Sequence, residues 1–158
     1  MKVVLLHVGR ARGSVGDAIA EFEKRVSHYF SFESVSVKEA PYKGQSITQL
    51  LDDEGKRLLA RVPTHNELIA LHRPGKQWSS EALAEHLSNA SLRSVAGLTF
   101  VIGGAYGLSA EIIGRADRLF SISAMTLTHD LARLILTEQL YRAGTIMRAE
   151  PYHKGLVG

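Results

Sequence analysis

The sequence predicts an α/β fold: a mainly parallel sheet with helices on both faces. Three observations carry this. Short apolar runs of strand length alternate with stretches of helical period along the chain. The opening run, Lys2 to Val8, is apolar at successive positions, as a buried strand is. Loops rich in glycine or hydroxyl side chains follow later apolar runs, and parallel sheets bind ligands beyond such strand ends. With 158 residues, 45% of them hydrophobic and 22% charged, the chain is expected to form one domain over residues 1–158.

Lys2 to Val8 is the first strand and ends at Gly9. Arg10 to Gly16, with two arginines among small residues, is a loop. Ala18, Ile19, Phe22, Val26 and Tyr29 recur at helical spacing and predict a helix over Asp17 to Tyr29. Val35 and Val37 alternate with polar residues, so Ser34 to Glu39 is a second strand, and Pro41 to Gln45 a basic turn. Leu50, Leu51, Leu58 and Leu59 form the inward face of a helix over Ile47 to Ala60. Asp52, Asp53, Glu54, Lys56 and Arg57 read as its solvated face. Glu67 to Leu71 is the third strand and runs into a Pro-Gly turn within His72 to Trp78. Ser79 or Ser80 caps the next helix. Leu98 to Ile102 is the fourth strand, Ser109 caps a short helix, and Arg118 to Ile122 is the fifth strand. A helix from about His129 to Met147 closes the fold.

Composition bounds the function. There is no cysteine, hence no disulfide framework and no thiolate metal site. His7, His28, His65, His72 and His86 lack metal-ligand spacing and read as surface or packing residues, so no metal is expected. No apolar run reaches the length of a membrane span, and the apolar start is too short for a signal peptide. A cytoplasmic protein without a membrane partner is therefore expected. A net charge of +3 and a pI of about 9.3 are compatible with a polyanionic partner.

Gly103-Gly104-x-x-Gly107 joins the fourth strand to the short helix. Glycines there let the backbone approach a ligand closely. The motif lacks the Gly-Lys-Ser/Thr of a phosphate loop and the three-glycine spacing of a dinucleotide fold, which disfavours both ligands. A tight turn with no ligand accounts for it equally well. Ser121 to Thr128 is small and rich in hydroxyls. It offers backbone N–H and C=O groups to an adenine edge, although an ordinary loop has the same composition. The last helix is apolar around most of its circumference, from Leu131, Leu134 and Ile135 to Ile146 and Met147. Such a helix is buried by more than one neighbour and leaves a face for a second subunit. Glu138 and Arg142 fall inside the apolar sector at ion-pair spacing, as a structural pair or as part of a site. Tyr152, His153 and Lys154 follow Pro151, with the composition of a fraying end.

Taken in order, six segments resemble one family: Leu71-x-x-Pro-Gly-Lys76, Ile102-Gly-Gly-x-x-Gly-Leu108, Ser123-x-Met-Thr-Leu-Thr-His129, Glu138-Gln-Leu-Tyr-Arg142, Ile146-Met-Arg148 and Pro151-Tyr-His-Lys154. The family is the bacterial 23S ribosomal RNA pseudouridine-N3 methyltransferases (methyltransferase H) of the SPOUT class. The resemblance covers the whole chain. It implies a C-terminal trefoil knot, S-adenosylmethionine bound in that knot, and a homodimer. By position, Leu71, Gly103, Gly104, Gly107, Ile122, Ser123, Ala124, Met125, Thr126 and Leu127 would line the cofactor pocket. The target would be a pseudouridine of 23S rRNA within the assembled 70S ribosome, which would form much of the docking surface for so small an enzyme.

Pseudouridine N3 must lose its proton before it attacks a methyl group, so a base or a stabilising positive charge is needed. The resemblance offers His153 as base or substrate orienter and Arg142 and Lys154 as its electrostatic partners. Tyr152 and His129 complete the catalytic candidates. Two features depart from the family. Gly155-Leu156-Val157-Gly158 follow the tail where the family commonly stops, and Thr128 stands where a proline often precedes the histidine. Two alternatives remain: a ribosome-associated S-adenosylmethionine-binding protein without catalysis, and a SPOUT enzyme acting on tRNA. The Tyr152-His153-Lys154 ending and the lack of an extra domain count against the second.

Overall fold

The computed structural model describes residues 1–155. Five strands, β1 (Lys2–Val8), β2 (Ser31–Val37), β3 (Glu67–Gln77), β4 (Gly97–Ile102) and β5 (Arg118–Ser121), form one sheet in the order β2-β1-β4-β3-β5. Every neighbouring pair in it is parallel. The helices are α1 (Gly13–Val26), α2 (Ile47–Leu59), α3 (Ser80–Leu92), α4 (Ala110–Arg115) and α5 (His129–Met147).

The two-residue period of a strand divides the core. Val3 and Leu5 of β1 face one side, where they meet Val26, Leu83, Leu87, Leu136 and Leu140. Val4, Leu6 and Val8 face the other, with Leu58 and Ile112. Helices α1, α3 and α5 therefore cover one face and α2 and α4 the other, so helices lie on both faces as the sequence predicts.

Several boundaries differ from the sequence reading, each for a local reason. Helix α1 starts at Gly13 and stops at Val26, because Tyr29 and Phe30 close a turn on the Val26 carbonyl at 3.0 and 3.1 Å. Strand β2 begins at Ser31, where it pairs with Lys2, and ends at Val37 opposite Val8. It is an edge strand with weak alternation in burial, so periodicity alone misplaces it. Strand β3 does not end at the Pro-Gly turn. Leu71 pairs with Phe120, residues 72–75 loop out, and Lys76 returns to pair with Phe120 again. Gly75 permits that return, since a Cβ there would lie 2.6 Å from the Leu119 carbonyl oxygen.

Helix α5 packs between α1 and α3. Leu136, Leu140 and Ala143 are fully buried, whereas Leu131 and Met147 remain 41% and 39% exposed. Most of the apolar circumference is thus covered within the chain. Thr128 caps this helix, its hydroxyl accepting from Leu131 N at 3.3 Å. The residue that departs from the family's proline supplies the cap itself.

Candidate functional site

The order β4-β3-β5 places the carboxyl ends of three strands side by side. They carry the turn 103–107, the excursion 72–75 and the segment 122–128. Arg73 Nη1 donates to Thr126 Oγ1 at 2.7 Å and ties two of these loops together. In the third, Gly107 N donates to Gly104 O at 3.1 Å, and Gly107 adopts φ +89°. A Cβ on Gly103 would overlap the Gly107 backbone. Ser121 Oγ donates to the Ser123 carbonyl at 3.0 Å, while Ser123 Oγ accepts from Met125 N at 3.0 Å. Leu71, Gly103, Gly104, Gly107 and Ile122 to Leu127 are thereby gathered at one sheet edge. The turn 103–107 and the segment 122–128 consist largely of glycine, small and hydroxyl-bearing residues, so their backbone groups are open to a ligand.

Beneath the glycine turn lies a residue the sequence reading placed on a solvated face. Glu54 is only 5% exposed. Its Oε1 accepts from Ala40 N at 3.2 Å, and its Oε2 is buried with no partner among the described residues. Burial pushes this carboxyl up, against the Ala40 amide, Arg57 and His129, which favour the anion. The signal was available: Leu50, Glu54 and Leu58 share a helix face at four-residue spacing.

The catalytic candidates separate into two groups. His129 opens α5, 3.5 Å from Asp130, close enough to His7 and Glu54 to act on both electrostatically. Arg142 follows it by thirteen positions, roughly 20 Å along the helix axis. Around Arg142 the tail is docked, not fraying. Glu138 Oε1 accepts from Arg142 Nη2 at 2.6 Å and from the Tyr152 hydroxyl at 3.0 Å. The Tyr152 ring meets Tyr141 edge-on at 4.7 Å, with the Arg142 guanidinium 4.8 Å from its centre. Burial first, and then the Glu138 bond, pushes the Tyr152 phenol up. His153 sits between Arg142 Nη1, 3.4 Å from Nδ1, and Glu81 Oε1, 2.8 Å from Nε2. A donor on one nitrogen and a carboxylate on the other assign the hydrogen of the neutral ring to Nε2. Lys154 is exposed. Glu81, in the first turn of α3, joins this cluster with no sequence signal beyond a helix start.

A polar cavity of about 270 Å³ lies at the carboxyl ends of β1 and β2, lined by His7, Arg10, Glu23, Ser34, Ser36 and Arg133. Arg133 Nη2 donates to Glu23 at 2.7 Å and to Ser34 at 3.2 Å. His7 Nδ1 donates to the Gly9 carbonyl at 2.9 Å. Burial, aided by Arg133, pushes His7 down to about 4, so it stays neutral.

Residues 1–153 match the family model described as Predicted SPOUT methyltransferase. The chain is 45% identical over 154 residues to the Ribosomal RNA large subunit methyltransferase H of Syntrophotalea carbinolica, covering 97% of this chain and 99% of that protein. It is 42% identical over 159 residues to the protein of the same name from Streptococcus thermophilus, covering 98% and 100%. A crystal structure of a probable methyltransferase from Bordetella pertussis Tohama I has the same fold, with a TM-score of 0.56 at 17% identity over 90% of this chain and 93% of that one. On the model match and these identities over nearly its full length, the chain belongs to the SPOUT methyltransferase family.

Proposed function

We propose that this chain is an S-adenosylmethionine-dependent methyltransferase acting on N3 of a pseudouridine in 23S rRNA within the assembled ribosome. One observation carries the reading. Three loops converge at one sheet edge in a chain 45% identical, over nearly its full length, to a Ribosomal RNA large subunit methyltransferase H. The edge fits the cofactor: the glycine turn has no side chains at 103, 104 or 107, and an orphaned acceptor, Glu54 Oε2, lies below it. Leu71, the glycine turn and Ile122 to Leu127 would hold the group, which supplies an electrophilic methyl when bound. His153, Arg142, Tyr152, Lys154 and His129 would orient the RNA base and take or stabilise its proton.

The reading includes one domain, a trefoil knot, a cytoplasmic location and a homodimer. The knot is supported by the chain leaving β4 and entering β5 on the far side of β3, past the loop 72–75. Among the described residues no helix is long and apolar enough to cross a membrane, and no group of three or more His, Asp or Glu residues is placed to hold a metal ion. The dimer is supported by the apolar residues of α5 left exposed, Leu131 and Met147. Leu136 and Leu140 of the same helix belong to the chain's own core.

Tritiated methyl transfer to 70S ribosomes, free subunits and bare RNA, followed by nucleoside mapping, tests the activity. Label in a single pseudouridine of the 70S sample is expected. Label in uridine or tRNA, or cofactor binding with no transfer, overturns it. Light scattering tests the dimer, which Leu131→Glu should dissociate while leaving the fold intact; a monomeric wild type at micromolar concentration refutes it.

A further inference from the structure

We propose that Glu54 is a further ligand-contacting residue of this site: its free carboxyl oxygen accepts a hydrogen from a nitrogen of the ligand seated at the Gly103–Gly107 turn. This rests on the methyltransferase reading above. Glu54 occupies a core position between Leu50 and Leu58, where an apolar side chain would serve the fold. Holding the Ala40 amide takes one oxygen, Oε1, and an amide side chain would do as well. The second oxygen has no structural work among the described residues. Buried polar atoms are nearly always paired, so an orphan directly beneath a surface turn marks a place for a donor from outside the chain.

Its position identifies the turn. An ideal Cβ on Gly104 would lie 3.1 Å from Glu54 Oε2 and 3.3 Å from Val8 Cγ1. Glycine at 104 therefore leaves only a bare Cα between this oxygen and the half-buried surface of the turn. That turn is held by the Gly107–Gly104 bond and by Tyr106 stacked on Tyr42 at 5.8 Å, both near the surface. A ligand entering there reaches Oε2 by shifting the turn, without displacing a core side chain. The charged groups acting on Glu54 are Glu39, Arg57 and His129. Two of the three are basic or can become cationic, and they stabilise the anion when a donor arrives. The donor chemistry is an N–H, present on both an RNA base ring and the amino groups of S-adenosylmethionine.

Glu54→Gln keeps the side-chain size and the Ala40 contact, so a melting temperature near wild type is expected. Calorimetry with S-adenosylmethionine, the infrared carboxyl band with and without it, and the pH profile of methyl transfer to 70S ribosomes then divide the sources. Cofactor affinity reduced tenfold or more, with a ligand-dependent carboxyl band in wild type, assigns the donor to the cofactor. Unchanged affinity, a transfer rate reduced tenfold or more and a flattened acid limb assign it to the base. Wild-type affinity, rate and pH profile overturn the proposal. Should the amide variant fail to fold, Glu54→Asp draws the carboxylate back by one methylene, and wild-type affinity and rate in that variant overturn it equally. If the wild type transfers no methyl group to ribosomes, the methyltransferase reading fails by itself. The cofactor affinity of Glu54→Gln then decides the proposal, and an unchanged value overturns it.

Discussion

Deleting residues 152–158 should lower the melting temperature by several degrees, although the sequence alone predicts a tail that contributes little to stability. The prediction comes from Tyr152. Its hydroxyl donates to Glu138 at 3.0 Å, a bond to a carboxylate that partial exposure reduces to about 1 kcal/mol. Its edge-on contact with Tyr141 contributes about 1 kcal/mol more. The Arg142 guanidinium over its ring contributes roughly 0.5 kcal/mol. A loss of about 2.5 kcal/mol corresponds to a fall of roughly 5–10 °C for a chain of this size. Differential scanning calorimetry on the truncated and full chains measures it, and Tyr152→Phe isolates the hydroxyl at about 1 kcal/mol. Cofactor affinity should survive the truncation, because the loops at the sheet edge are untouched, while methylation of ribosomes should be lost. A truncated protein that melts within a degree of the full chain refutes the docking of Tyr152. One that methylates at the full rate refutes any role for the tail in transfer. Deleting only Gly155 to Gly158 should change neither, though residues 156–158 lie outside the described structure.

His7 makes stability depend on pH. Its folded value of about 4 lies below the ordinary imidazole value near 6.5, so the unfolded chain binds the proton more readily. Its contribution is complete above pH 6.5 and is lost as pH falls toward 4, with about 2 kcal/mol gone by pH 5. Urea unfolding of wild type and His7→Gln across this range checks it, and identical slopes in both contradict it. Two neighbouring glycines should respond differently to a methyl group. Gly103→Ala drives a Cβ into the Gly107 backbone and should cost at least about 2 kcal/mol, whereas Gly104→Ala needs only a small shift of Glu54 and Val8 and should cost under about 1 kcal/mol. Equal melting temperatures for the two variants would refute this geometry.

What was legible in the sequence follows from period. Strand β1 and helix α5 match their predicted bounds because a strand-length apolar run and a long run of helical period are unambiguous. The return of β3 after Pro74-Gly75 was not legible, since local turn chemistry is outweighed by renewed pairing with β5 across a long sequence separation. The glycine turn and the loop 122–128 were recognisable as motifs, yet only the strand order brings them together. Glu54 carries two conflicting signals, a charge that suggests solvent and a helical phase matching Leu50 and Leu58, and the phase decides its burial. The docking of the tail is not legible because composition cannot reveal that Glu138, fourteen residues earlier, turns its carboxylate toward Tyr152.

The Glu138–Arg142 pair connects these observations. On sequence it was either a structural ion pair or part of a site; in three dimensions it holds Tyr152 directly and His153 through Arg142. Gln139 extends the same network, donating to Glu138 Oε2 at 2.7 Å and accepting from Ser80 Oγ at 2.6 Å. Ser80 and Glu81 begin the helix that follows β3, so the network runs from the tail to the end of a strand bordering the loops proposed to hold the cofactor. A base role for His153 must therefore include release of Nδ1 from Arg142, since the hydrogen of Nε2 faces Glu81. The tail cluster is a pre-formed position for these side chains, and an RNA base that displaces one contact would meet an imidazole already oriented by the other.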